Sequence, residues 1–90
     1  MKEKPYNGPL PYPVQKKNPV FAERLGKRIY QLGSNGRTKV MRKTGIAIRS
    51  LEEYMAGRVC PSLATAIALA DMLGVSLDWL AGRTDEERRE

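Results

Sequence analysis

Histidine is absent from this chain of 90 residues, and cysteine occurs once, at Cys60. Without these side chains the usual Cys/His zinc sites cannot be assembled within the chain, and neither can a Cys–His or Ser–His catalytic pair. A single cysteine also excludes an intrachain disulfide, so a reducing cytoplasm is the simpler setting. We therefore expect no metal, no cofactor and no catalysis, and we expect Cys60 to have no chemical role.

A hydrophobic run long enough to cross a membrane is also missing. The longest apolar stretch, residues 63–75, is too short to span a bilayer, and it contains Thr65 and Asp71. Prolines interrupt the N-terminus, which has no signal-peptide core. The chain length predicts a single domain with a modest stability margin and leaves no room for a second large one.

Acidic residues are scarce in the N-terminal half. The whole chain carries 16 Lys and Arg against 10 Asp and Glu, a formal net charge of +6. Residues 19–43 contain several of these cations and a single acid, Glu23, whereas residues 44–82 have an excess of acids. A localised positive field favours a polyanionic partner, but the charge alone leaves both nucleic acid and an anionic membrane open.

Prolines, glycines and capping residues divide the chain into three parts. Residues 1–18 are rich in proline and lysine, and we expect a flexible arm, because proline denies a helix its hydrogen bonds and its dihedral angles. Asn18 and Pro19 suit a helix cap and a first helical position, so the folded domain is predicted over residues 19–82. Residues 83–90 are almost all charged and are expected to fray into solvent as a tail.

Apolar residues at helical spacing predict an all-α domain of five helices. Each predicted helix combines an apolar stripe with a capping residue or a glycine at its ends: residues 19–32, 37–43 and 47–57, then the segments from Ser62 to Gly74 and from Ser76 to Gly82. The residues expected to face inward are Phe21, Leu25, Ile29, Leu32, Val40, Met41, Leu51, Tyr54, Met55, Leu63, Ile67, Ala70 and Leu73. The predicted fifth helix contains Leu77, Trp79 and Leu80.

The second and third predicted helices have the arrangement that reading a DNA major groove requires. The second helix is basic, the third has a polar outer face, and Gly45 lies in the tight turn between them. From Gly45 onward, the sequence GIAIRSLEEYMAGRVCPSLATAIALADMLGVSLDWLAG resembles the Cro/CI type of the lambda-repressor-like helix-turn-helix family. The resemblance implies a compact five-helix domain with the helix-turn-helix at helices 2 and 3, and double-stranded DNA as the partner.

The sequence departs from the family pattern around helix 2. Ala47 replaces the usual capping Ser or Thr, Met41 replaces a small residue that faces the turn, and Arg37 replaces the usual Gln. The stretch between Phe21 and Val40 is one residue longer than the pattern. These differences concern how helix 2 is seated and leave the predicted fold unchanged.

The resemblance also implies roles for individual residues. On the outer face of helix 3, Ile48, Arg49 and Glu53 would contact bases. Phosphate contacts are expected from one hydroxyl and several cations, namely Arg37, Lys39, Lys43, Ser50 and Arg58, together with Lys16 and Lys17 of the arm. Trp79 and Leu80 of helix 5 would form the contact of a homodimer.

Each of these roles has a simpler structural alternative. The cations of helix 2 could form only a solvated face. Arg49 could pair with Glu52 or Glu53 along helix 3 and never touch a base. Trp79 could lie at the edge of the core instead of in a dimer contact.

The predicted function is sequence-specific binding of an operator by a homodimeric transcriptional repressor of phage or bacterial type. The alternative is a protein-interaction module derived from the helix-turn-helix fold, which no longer binds DNA and whose proline-rich arm docks on another protein. A membrane-surface peptide fits less well, because the basic residues do not lie opposite a long apolar face.

Overall fold

The computed structural model of the protein describes residues 17–88. This part of the chain forms five helices: α1 (Pro19–Gln31), α2 (Gly36–Thr44), α3 (Ile48–Met55), α4 (Leu63–Leu73) and α5 (Leu77–Leu80). Their number and order confirm the predicted all-α domain. Within the same residues, no helix has both the length and the apolar character needed to cross a bilayer. Apart from its last two residues, the predicted arm lies outside the described residues.

Side-chain caps begin three of the five helices. Asn18, Ser62 and Ser76 each accept a hydrogen bond from the backbone N–H three residues later, at 3.0, 3.2 and 2.9 Å respectively. Such a cap satisfies one of the unpaired N–H groups of the first turn and contributes about 1 kcal/mol. The predicted starts of α1, α4 and α5 are therefore confirmed.

The helices enclose one hydrophobic core. α1 packs against α2, α3 and α5, and α4 packs against α2 and α5. The core comprises buried apolar side chains from all five helices and one loop: Phe21, Leu25, Ile29, Val40, Leu51, Ala66, Leu69, Ala70, Leu73, Val75, Trp79 and Leu80. This arrangement holds α3 by its inner face alone, so the opposite face of α3 is left to solvent.

The inward face predicted for α4 is partly wrong. Leu63 and Ile67 are exposed, and Ala66 and Leu69 are buried in their place. α4 is apolar on nearly all sides, so its periodicity does not select a face. Ala66 and Ala70 face the core, and their small side chains allow α4 to approach α2 and α5 closely.

The predicted dimer contact at α5 also needs correction. Leu80 is fully buried, and Trp79 is 7% exposed. The guanidinium of Arg24 lies 4.8 Å from the centroid of the Trp79 ring, where it makes a cation–π contact, and it donates a hydrogen bond to the Trp79 carbonyl. Both predicted contact residues therefore belong to the core and present almost no surface to a second copy.

Residues 83–88 are packed against the domain and do not fray. Arg28 of α1 forms an ion pair with Glu87, and the backbone N–H of Ser76 donates to the Glu87 carbonyl at 2.8 Å. Arg24 also donates to two groups of this segment. Composition predicted fraying because it counts the charges of the segment and does not show the arginines that α1 places opposite them.

Candidate nucleic-acid interface

The turn between α2 and α3 is fixed by one glycine and one threonine. Gly45 has a φ of 77°, and its N–H donates to the carbonyl of Met41 at 2.8 Å, which ends α2. The hydroxyl of Thr44 donates to the Val40 carbonyl at 2.7 Å and accepts from the N–H of Ile46 at 3.2 Å. Thr44 thus orients the start of α3, where alanine provides no side-chain cap. Sequence reasoning had not assigned Thr44 a role.

The N-terminus of α2 lies directly against the last turn of α1. Gly36 is buried, and a Cβ built on it would lie 2.3 Å from the carbonyl oxygen of Ile29. The ammonium of Lys39 donates to the Leu32 carbonyl at 2.8 Å, which satisfies a backbone acceptor at the end of α1. In the free protein Lys39, predicted to contact phosphate, therefore helps to seat α2.

α3 presents its predicted outer face to solvent. Leu51 is fully buried, and Tyr54 packs against the core from its edge, as predicted. Ile48 is half-buried and Arg49 is exposed. Arg49 makes no ion pair or side-chain hydrogen bond with any residue between 17 and 88. Within this part of the chain, the guanidinium of Arg49 on the outer face of α3 therefore has no bonding partner.

The two acids of α3 are paired with arginines from neighbouring segments. Glu52 lies 3.2 Å from the guanidinium of Arg37, which belongs to α2. Glu53 accepts from the Nε of Arg58, in the loop after α3, at 3.0 Å. The alternative in which Arg49 pairs with these acids is not found. Both carboxylates of α3 are therefore balanced by a neighbouring arginine.

Of the other predicted phosphate contacts, Lys43 is exposed in the last turn of α2, and Ser50 is half-buried on α3. Lys17 is exposed just before α1, and Lys16 lies outside the described residues. The turn brings the predicted base-contacting residues together with Arg37 and Arg58 on α2, α3 and the loop after α3. Lys39 is bonded to the end of α1, and Lys17 lies just before α1, outside the two helices and the turn.

Comparisons with known proteins agree with this geometry. A profile of the helix-turn-helix family matches residues 34–80, which is more than half of the chain and extends from the turn before α2 to the end of α5. A protein of Haemophilus influenzae, described as an uncharacterized HTH-type transcriptional regulator, is 33% identical over 69 residues. No solved structure matches the chain.

The alignment with the Haemophilus protein covers 76% of this chain and 28% of the relative, so the chain spans little more than a quarter of the relative's length. The family match covers the two helices and the turn of the candidate interface described above. The chain belongs to the lambda-repressor-like helix-turn-helix family.

Proposed function

We propose that this domain binds duplex DNA with sequence preference and acts as a transcriptional repressor that occupies an operator as a homodimer. In this proposal α3 lies in the major groove, and α2 lies against the sugar–phosphate backbone. The observation that carries it is the state of Arg49, which is exposed and unpaired within the described chain while both acids beside it are paired. The Arg49 guanidinium can therefore contact a base without breaking an ion pair or hydrogen bond within the described residues.

The paired acids also weaken the alternative of an interaction module. An unpaired carboxylate on α3 would repel phosphates and so favour an interaction module over a DNA-binding domain. Arg37 and Arg58 reduce this repulsion, and each guanidinium has five N–H donors, of which only a few face the carboxylate. Each arginine can therefore hold its glutamate and a phosphate at the same time.

The chemistry of the outer face assigns a base to each predicted contact. Arg49 can donate two hydrogen bonds to the O6 and N7 of guanine, and Ile48 can pack against a thymine methyl group. Glu53 uses Oε1 for Arg58, so its other oxygen is available to accept from the N4 of cytosine. Arg58 then fixes the orientation of the Glu53 carboxylate before DNA binds.

We expect binding to random-sequence duplex DNA to weaken steeply with salt. Arg37, Lys43 and Arg58 each release a counterion on contacting a phosphate, and each contact adds about −0.9 to the slope of log K against log salt. For each copy of the domain the expected slope is therefore about −3 or steeper. Fluorescence anisotropy with a labelled duplex at several salt concentrations measures it. No binding at low salt would refute the proposal and leave the interaction module as the better explanation.

The two glutamates of α3 form a matched pair for a second prediction. On random duplex, Glu52→Gln and Glu53→Gln should each strengthen binding about threefold to fivefold, because each removes a negative charge and frees an arginine. On an operator selected from a random DNA pool, Glu52→Gln should give the same gain. Glu53→Gln should gain less or lose affinity, because it degrades the proposed cytosine contact. If both variants respond identically on both duplexes, Glu53 does not contact a base.

A further inference from the structure

α3 begins without the side-chain cap that starts α1, α4 and α5. Ala47 precedes its first residue and has a φ of −61° and a ψ of 144°. Ser62, which caps α4, has a φ of −63° and a ψ of 163°, and Ser76, which caps α5, has a φ of −76° and a ψ of 147°. The backbone at Ala47 therefore has the conformation of a helix cap but lacks the side-chain oxygen that would accept from the first turn.

The hydroxyl of Thr44 supplies a different bond at the same place. It donates to the Val40 carbonyl of α2 at 2.7 Å and accepts from the N–H of Ile46 at 3.2 Å. Ile46 packs against the core and directly precedes Ala47. A single hydroxyl therefore joins the end of α2 to the segment from which α3 starts.

The residues proposed to contact bases follow this segment at once. Ile48 and Arg49 are the first two residues of α3, whereas Leu51, which fixes the helix in the core, comes later. A looser turn would therefore displace the start of α3 more than its middle. Hydrogen bonds to a base edge tolerate only a small displacement, because they weaken steeply when their angle changes. The proposed phosphate contacts come from long side chains outside the start of α3 and tolerate more.

We propose that Thr44 is a positioning residue for sequence recognition, because its hydroxyl holds the start of α3 in the orientation in which Ile48 and Arg49 reach the bases. The proposal rests on the proposed function, since it concerns how the same site distinguishes one DNA sequence from another. Thr44 is half-buried, and its hydroxyl makes both of its bonds within the protein. It acts through α3 and raises the preference for an operator, not the attraction to phosphate.

Thr44→Val tests this role, because valine keeps the shape of the side chain and removes the hydroxyl. Affinity for an operator selected from a random DNA pool should fall about threefold to tenfold, as expected for the loss of one hydrogen bond that orients the contact. Affinity for random duplex should equal that of the wild type. Thr44→Ser keeps the hydroxyl and should keep the wild-type ratio of the two affinities. Fluorescence anisotropy at one fixed salt concentration measures this ratio.

Thr84→Val is the matched control for the lost bond. The hydroxyl of Thr84 also accepts from the N–H two residues later, that of Glu86, at 3.2 Å. It lies in the segment that bonds to α1, outside α2, α3 and the turn between them. Thr84→Val should therefore leave the ratio of the two affinities unchanged, even if the melting temperature falls.

A cap placed at the start of α3 should replace the lost hydroxyl. Because Ala47 already has the conformation of the serine caps, Ala47→Ser should accept from the N–H of Ser50, three residues later. Thr44→Val/Ala47→Ser should then recover most of the ratio that Thr44→Val loses. Failure to recover it in a folded double variant would show that the start of α3 is not what Thr44 controls, which overturns the proposal.

Hydrogen exchange of the wild type gives a result that does not depend on the folding of a variant. The Ile46 N–H should exchange more slowly than in an unstructured peptide, and equally fast exchange overturns the proposal. So does a Thr44→Val variant that keeps the wild-type ratio, or one that loses affinity for both duplexes equally. If Thr44→Val does not fold, the double variant and hydrogen exchange decide. A wild type that prefers no duplex sequence overturns the proposed sequence preference itself, and this proposal with it.

Discussion

The Gly36→Ala variant is expected to unfold far more easily than the wild type, with a loss of about 3 kcal/mol or more in the free energy of unfolding. The added Cβ would lie 2.3 Å from the carbonyl oxygen of Ile29 and 3.1 Å from its Cγ2. A side chain could rotate away from such a clash, but a backbone oxygen at the end of α1 cannot. α2 must therefore move off α1, and the packing of Val40 in the core is lost with it.

The direction of this effect is informative, because alanine in a helix is ordinarily more stable than glycine by up to about 1 kcal/mol. Gly26→Ala in the middle of α1 is the matched control. A Cβ at Gly26 has only the methyl group of Met55 near it, at 4.0 Å, and this substitution should stabilise the domain. Urea unfolding followed by circular dichroism measures both variants. A Gly36→Ala variant as stable as the wild type would show that α1 and α2 are not in close contact.

The helix limits were predictable because the signals that set them are local. Asn18, Ser62 and Ser76 cap the helix that immediately follows, and Gly45 adopts the left-handed conformation that ends α2. Each of these helix ends is set by residues within one turn of it. They can therefore be read from the sequence alone.

The errors arose where the decision depends on a distant part of the chain. α4 is apolar all round, so the face that it buries is chosen by α2 and α5, and Leu63 is left outside. The ordering of residues 83–88 depends on Arg24 and Arg28, about 60 residues earlier in the chain. Neither periodicity nor composition contains this information.

The candidate site shows the same division. The outer face of α3 followed from the spacing of Leu51 and Tyr54, and the structure confirms which way that helix faces. The ion-pair partners of Glu52 and Glu53 could not be predicted in the same way. Spacing along one helix offered Arg49, whereas Glu52 pairs with Arg37 from α2, 15 residues earlier in sequence. The pairing of Glu52 with Arg37 leaves Arg49 without a side-chain partner among residues 17–88, and it could not be predicted before the relative position of α2 and α3 was known.

The consequence of that freedom is the specificity that we expect Arg49 to provide. Arg49→Ala should weaken binding to an operator selected from a random DNA pool by roughly 1–3 kcal/mol, which is about fivefold to 150-fold. On random duplex the loss should be small, because a single exposed charge contributes little there. Since Arg49 has no partner among residues 17–88, its removal should leave the melting temperature unchanged.

Two further variants separate base contact from simple attraction. Arg49→Lys keeps the positive charge but loses the planar guanidinium that donates two parallel hydrogen bonds. Its affinity should equal that of the wild type on random duplex and fall close to that of Arg49→Ala on the operator. Arg37→Ala removes a proposed phosphate contact and should lower the affinity for both duplexes by the same factor. All three variants are compared by anisotropy at one fixed salt concentration. If Arg49→Ala lowers the affinity for the two duplexes equally, Arg49 binds phosphate, and the outer face of α3 does not distinguish one base pair from another.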